Sequence, residues 1–218
     1  MSSQSPAQTV AATDLFRFWW QLPGEWVEPP NIRRGGWSGV KLSHWQNHTL
    51  YIKRQSRHLC RDWRHPLGWP TLCREHSNLQ QLRTLGIGCP TPLFSGRLGN
   101  SAILVLEALE GFTALDQLSL ATSASRESLA RSLGESLGRL HRHCLQHSSL
   151  YAKHVFVRPQ ADQWQIALID LEKMRRCISA KFCARHDLSQ LRRHQNLFDS
   201  RDWDVLLEAH EQNFSVTF

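Results

Sequence analysis

A lysine set inside an apolar run is the feature that most constrains this chain. Residues 49–54, Thr-Leu-Tyr-Ile-Lys-Arg, alternate as a half-buried strand does and carry β-branched and aromatic side chains. A strand holding Lys53 there must let the ammonium snorkel to an edge or give it an anionic partner. Gly35-Gly36-Trp37-Ser38-Gly39 forms a glycine-rich turn that leads into Val40-Lys41-Leu42, fourteen residues before Lys53 counted from Gly39. The two strands are expected to make a hairpin. Glu75 follows Lys53 by 22 residues. It falls in the first turn of a helix predicted over 71–85 from the spacing of Leu72, His76, Leu79, Leu82 and Leu85. Thr71 is the expected N-cap and Gly86 the expected stop. Glu75 can pair with Lys53 and hold it extended, or it is an acid favoured by the helix dipole.

The remaining elements follow in order. Residues 1–13 read as a flexible tail with no basic and apolar regions of a secretory signal. Asp14–Trp20 predicts a short amphipathic helix capped by Asp14. A turn is expected at Pro29-Pro30, and residues 57–70 are irregular, basic and proline-bearing. Residues 102–107 predict a buried strand, 126–146 a long helix, 151–157 and 164–169 two short strands, and 187–213 further helix. The class is α+β, strand-rich first and helix-rich after, rather than alternating α/β.

The 218 residues suffice for one sizeable core, and no run of about 18 apolar residues exists to span a bilayer. Six scattered cysteines with no C-x-x-C point to reduced thiols and a cytoplasmic setting. Cys177, Cys183 and His186 match no common zinc-finger spacing. A net charge of +7 with twelve histidines favours polyanionic partners: nucleic acid, an anionic membrane face or a phosphorylated substrate. Of nine tryptophans, four lie between Trp19 and Trp37, where core packing or an interface would use them.

Lys53 and Glu75 are the first members of an ordered set. Glu107 closes the strand 102–106 before Ala108-Leu109-Glu110-Gly111, where a kinase hinge would receive adenine on its backbone. Gln146-His147-Ser148-Ser149-Leu150-Tyr151-Ala152-Lys153-His154 follows the long helix. Laid on the kinase loop H-R-D-x-x-x-x-N, His147 takes the histidine, Ser149 the catalytic aspartate and His154 the metal-binding asparagine. Asp170 lies sixteen residues past His154 at the end of an apolar strand, where a magnesium-chelating acid would sit or where a turn acid would end the strand.

These residues, with Trp19-Trp20, Gly24–Glu28, Pro30–Val40, Leu50–Arg54, Arg74-Glu75, Ile169–Lys173 and Asp187–Leu191, resemble the InaA family over about residues 14–210. InaA-like proteins group with the Kdo and WaaP-type lipopolysaccharide kinases of Gram-negative bacteria. The resemblance implies a compact protein-kinase-like fold in a single domain over 14–218, with a small strand-rich N-lobe to about 107 and a helical C-lobe from about 108. It implies ATP and Mg²⁺ as cofactors. Gly36, Ser38, Gly39, Lys53, Glu75 and Glu107 would hold nucleotide, Asp170 and His154 the metal, and His147, Ser149, His154 and Asp170 would form the catalytic set. A lipopolysaccharide core sugar is the implied acceptor, with Arg61 and Arg64 as its anion grip and Arg33, Arg34 and Arg54 adding to the same positive face. A cytoplasmic protein with peripheral contact at the inner membrane is expected. Ser149 departs from the family pattern, because a hydroxyl is no base near neutral pH. His147 or His154 could take over as base or metal ligand, or His147 orients the loop. Two other classes stand beside a slow kinase: a pseudokinase that scaffolds or signals, and a basic nucleic-acid or membrane-binding module.

Overall fold

A computed structural model describes residues 6–33, 35–60, 65–66, 68–120 and 122–214. The chain divides into two compact units. One comprises residues up to 77 together with 91–108; the other comprises Asn78–Pro90 and residues from 109 onward.

The first unit is an antiparallel sheet with a helix on one face. Its elements are helix α1 (Pro6–Gln21), strands β1 (Asn31–Arg33), β2 (Gly36–Trp45) and β3 (His48–Ser56), the start of helix α2 (Thr71–Thr84), and strands β4 (Pro92–Leu98) and β5 (Ser101–Glu107). The order is Glu25-Trp26, β2, β3, β5, β4, and β1 also pairs with β2. The expected hairpin is β2–β3, with Val40 opposite Lys53 and Trp45 opposite His48. It is longer than the alternation alone indicated.

The period of two along β3 sorts its side chains. Leu50 and Ile52 are fully buried and pack with Phe16, Trp19, Ile103 and Val105. Burying each such aliphatic side chain contributes about 1.5–3 kcal/mol. Arg54 shares that register, and its Nη2 donates to Trp19 O at 3.2 Å and Leu22 O at 2.7 Å. Only 8% exposed, Arg54 pins the end of α1 to the sheet, and burial lowers its pKa. This corrects its assignment to an anion-gripping face. Trp19, Trp20 and Trp45 also belong to this core: Trp19 meets Trp45 at 5.1 Å, and Trp20 reaches outward to Trp37 at 5.9 Å between ring centroids.

Three boundaries differ from expectation. Helix α1 begins at Pro6 rather than Asp14. Strand β4 escaped prediction, because Pro92, Ser95 and Gly96 break its apolar alternation. Thr71 is the first residue of α2, not its cap. Gln55 does the capping from β3: its Oε1 accepts from Thr71 Oγ1 at 2.7 Å and from the Leu72 amide at 3.0 Å. Gly86 ends the helix as expected, at φ +66°.

The second unit is built on helices α3 (Ser123–Arg142), α4 (Ala180–Arg193) and α5 (Ser200–Phe214). Thr122 caps α3 by accepting from the Ser125 amide. Helices α3 and α5 lie close because a Cβ at Gly134 would overlap the Leu206 carbonyl oxygen. Strands β6 (Val155–Gln160) and β7 (Gln163–Leu168) form a hairpin joined by Thr113-Ala114. Helix α3 stops at Arg142, short of the predicted 146. Leu145-Gln146 leaves it to pair antiparallel with Arg175-Arg176. Residues 187–213 are largely helical as expected, over the end of α4 and nearly all of α5. None of the described helices is long and apolar enough to cross a membrane.

Candidate functional site

Lys53 and Gln55 share one face of β3, opposite the face of Leu50, Ile52 and Arg54. Both reach α2. Lys53 Nζ donates to Glu75 Oε1 at 2.6 Å, with side-chain exposures of 19% and 2%. A pair this dry persists only with good geometry, and removing one partner typically costs about 3–5 kcal/mol. The lysine is therefore held by a partner, as the reading of Glu75 required, and is not a snorkelling edge residue.

The other residues expected at the nucleotide divide. Gly36 opens β2 opposite Arg33, and Ser38 lies opposite Asn31 and Gln55. At Gly39 a Cβ would stand 2.6 Å from the Trp26 ring, so this glycine makes room for an indole. Glu107 ends β5 opposite Leu50. Its amide donates to Thr91 O at 2.9 Å, and the Ala108 amide donates to Thr49 O at 2.9 Å. Neither amide is left to donate to a base, so adenine would have to meet the Glu107 carbonyl or the residues from Leu109 on. Arg61 and Arg64 lie outside the described residues, as does Arg34.

In the second unit, His147, Ser149, His154 and Asp170 come together. Asp187, fully buried on α4, accepts from the amides of His147 at 2.6 Å and Ser148 at 3.1 Å. One turn on, Gln190 Oε1 accepts from the Leu150 amide at 2.6 Å. Positions i and i+3 share a helix face, so α4 grips three loop amides in one row. Burial raises the Asp187 pKa. Hydrogen bonds from His141, from the His147 amide and from His186 outweigh that and hold it below the usual carboxylate range.

His147 is fully buried, and its partners fix its tautomer. A carbonyl only accepts, so Nε2 donates to Ile169 O at 3.0 Å. Nδ1 then accepts from the Ser149 amide at 3.3 Å. Burial lowers its pKa, more than the nearby Asp187 raises it, which keeps the ring neutral. With both nitrogens committed, His147 cannot be a general base. It orients the loop, which favours that alternative over a role as base or metal ligand.

His154 differs. Its Nδ1 donates to Ser149 O at 2.8 Å, and its Nε2 faces Asp170 Oδ2 at 3.6 Å. The ring nitrogen and the carboxylate oxygen are thus placed to share a cation between them. Asp170 itself is left-handed, at φ 58° and ψ 53°, and Ser148 has φ 68°. Non-glycine residues held there cost about 1–3 kcal/mol each and cluster where function needs them. Asn78 Nδ2 steadies the turn after Asp170 by donating to Leu171 O at 2.7 Å and Met174 O at 3.0 Å. Ser149 is 3% exposed, and no carboxylate occurs in the loop 147–154.

Asp187, Gln190, Gln55 and Asn78 were not anticipated as site residues. The one available signal was Asp187 and Gln190 on a helix otherwise buried through Cys183, Ala184 and Leu191.

The comparisons agree with this architecture. The chain is 29% identical over 204 residues to Protein InaA of Escherichia coli (strain K12), covering 89% of this chain and 94% of that one. Among solved structures it is similar to WaaP in complex with acyl carrier protein, with a TM-score of 0.70, 17% identity, and 97% of this chain and 88% of that chain covered. It is also similar to a type VIII aminoglycoside-3'-phosphotransferase, with a TM-score of 0.60, 18% identity, and 95% and 93% covered. The fold is therefore kinase-like, as expected. The sequence profile of the lipopolysaccharide kinase (Kdo/WaaP) family matches residues 17–210, and the chain belongs to that family.

Proposed function

We propose that this chain transfers the γ-phosphoryl group of ATP to a hydroxyl of a lipopolysaccharide core sugar, slowly. The observation that carries the reading is the 2.6 Å Lys53–Glu75 pair, which holds a cation extended from a rigid strand, as phosphate binding requires. When bound, ATP with Mg²⁺ supplies the transferable group and neutralises charge on it. The residues fit such a cofactor. Lys53 would hold the α- and β-phosphates, and the acceptor pair Asp170 and His154 would hold the metal. Gly36, Ser38 and Gly39 line the strand that precedes Lys53 and would shape the phosphate end of the site.

Ser149 stands where the family's base is expected. Losing a positioned base typically costs 10²–10⁴-fold in rate. Phosphoryl transfer has a loose transition state, so positioning and charge neutralisation carry much of the acceleration. A slow enzyme is therefore consistent with Ser149. His154 is too closely engaged by the Ser149 carbonyl to serve as a free base through Nδ1, which leaves its Nε2 for a metal or a proton. A second reading, a pseudokinase that binds nucleotide without transfer, is favoured by the absence of any carboxylate in the loop 147–154.

Calorimetry with Mg-ATP tests the first step. Wild type is expected to bind, and Lys53→Ala and Asp170→Ala each to weaken binding by about 10–100-fold, the worth of a charge-assisted contact. Slow ATP consumption in the presence of core oligosaccharide, increased by Ser149→Asp, would support transfer. Binding without turnover would support the pseudokinase, and no binding at millimolar ATP would refute both. Acyl carrier protein, the partner in the WaaP structure, belongs in the same binding screen.

A further inference from the structure

We propose that Arg175–Arg185 is a docking surface for bilayers rich in anionic phospholipid. Ile178 is fully exposed (104%) and Phe182 is 45% exposed, at the turn into α4 and in its first turn. Arg175, Arg176, Lys181 and Arg185 are all exposed around them. Residues 173–193 carry seven lysines and arginines against one acid, Asp187, which is fully buried and spent on the loop. The surface is therefore positive with apolar tips and no exposed acid of its own.

Charge complementarity chooses the partner, and the apolar tips narrow it. A polyanion such as DNA would engage the cations but gains nothing from an aliphatic tip in water. A bilayer engages both: guanidinium and ammonium groups meet headgroup phosphates while the side chains of Ile178 and Phe182 enter the acyl boundary. Arg185 lies 6.0 Å over the Phe182 ring, so cation and apolar group are presented together.

The surface is also fixed to the loop within its own unit. Arg175 and Arg176 pair with Gln146 and Leu145, and the Cys177 amide donates to Cys144 O at 2.8 Å. A membrane met by this segment lies one short ladder away from the chain that enters His147. If the phosphotransferase reading holds, such docking presents a lipid-anchored acceptor; the docking itself does not depend on that reading.

The test is co-sedimentation with vesicles of phosphatidylcholine alone or mixed with phosphatidylglycerol, without nucleotide, so that its outcome is separate from phosphotransfer. Wild type is expected to sediment only with the mixed vesicles and to be released by salt. Ile178→Ser is expected to weaken binding about tenfold, and Arg175→Gln with Arg176→Gln more than tenfold. Both positions are exposed, and unchanged circular dichroism would show that the fold is kept. Absence of sedimentation with mixed vesicles overturns the proposal. So does vesicle binding that Ile178→Ser leaves unchanged, or tighter retention on double-stranded DNA that is likewise insensitive to Ile178→Ser.

Discussion

Replacing Asp187 with alanine tests the strongest structural claim about the loop. The carboxylate accepts from the His147 amide at 2.6 Å, the Ser148 amide at 3.1 Å, His141 Nε2 at 3.3 Å and His186 Nδ1 at 3.1 Å. Of these donors, the amide of His147 and the ring of His141 belong to fully buried residues that water cannot reach. Each buried donor left without its acceptor costs about 1–3 kcal/mol. Ser148 and His186 are partly solvated and add less. The total expected is about 4 kcal/mol. With a urea slope of about 2 kcal/mol per molar, the unfolding midpoint falls by about 2 M. Far-UV circular dichroism follows the helices, and amide exchange reads the His147 and Ser148 N–H groups directly. Asp187→Asn keeps one acceptor oxygen and should cost about half as much. A midpoint within about 0.3 M of wild type, with both amides still protected, would refute the argument that α4 holds the loop.

Two further outcomes follow from the same unit. Burial, with the neighbouring His141 adding to it, pushes the His210 imidazole down from 6.5 to about 4. The unfolded chain therefore takes the proton first: stability is complete above about pH 6.5 and falls by about 3 kcal/mol as pH drops through 6.5 to 4. Urea melts across that range should show the slope and His210→Gln should reduce it; a flat wild-type profile would contradict it. Gly134→Ala should destabilise by about 1–3 kcal/mol in thermal melts although alanine is the better helix former by about 1 kcal/mol, because the added Cβ meets backbone rather than a movable side chain. A gain in stability would mean that α3 and α5 separate freely.

What the sequence made legible was local. The alternation around Lys53, the apolar spacing after Thr71 and the glycine at 86 each express themselves within a few residues, and each was read correctly in kind. Contacts across the chain were not legible. Arg54 looked like surface charge because nothing nearby in sequence tells that Trp19 O and Leu22 O, over thirty residues away, await its guanidinium. Asp187 and Gln190 meet the loop from 39 to 40 positions away. His147 is read from sequence as base or as orienter, and nothing nearby in the chain shows that Ile169 O and the Ser149 amide meet its two nitrogens. The family resemblance carried the fold over these gaps, while residue roles still had to come from partners and distances.

Gln55 has a consequence for regulation. Many kinases control activity by swinging the helix that carries the lysine's glutamate partner in or out. In this chain the strand that bears the lysine also grips the start of that helix, two residues further along, through a single amide oxygen shared by Thr71 and Leu72. Lysine and glutamate are thus referenced to the same few ångströms of backbone, and withdrawing the acid with its helix would first break the Gln55 cap. Displacement of that helix and loss of the cap would therefore be one event, read by the amide exchange of Leu72 together with the state of the ion pair.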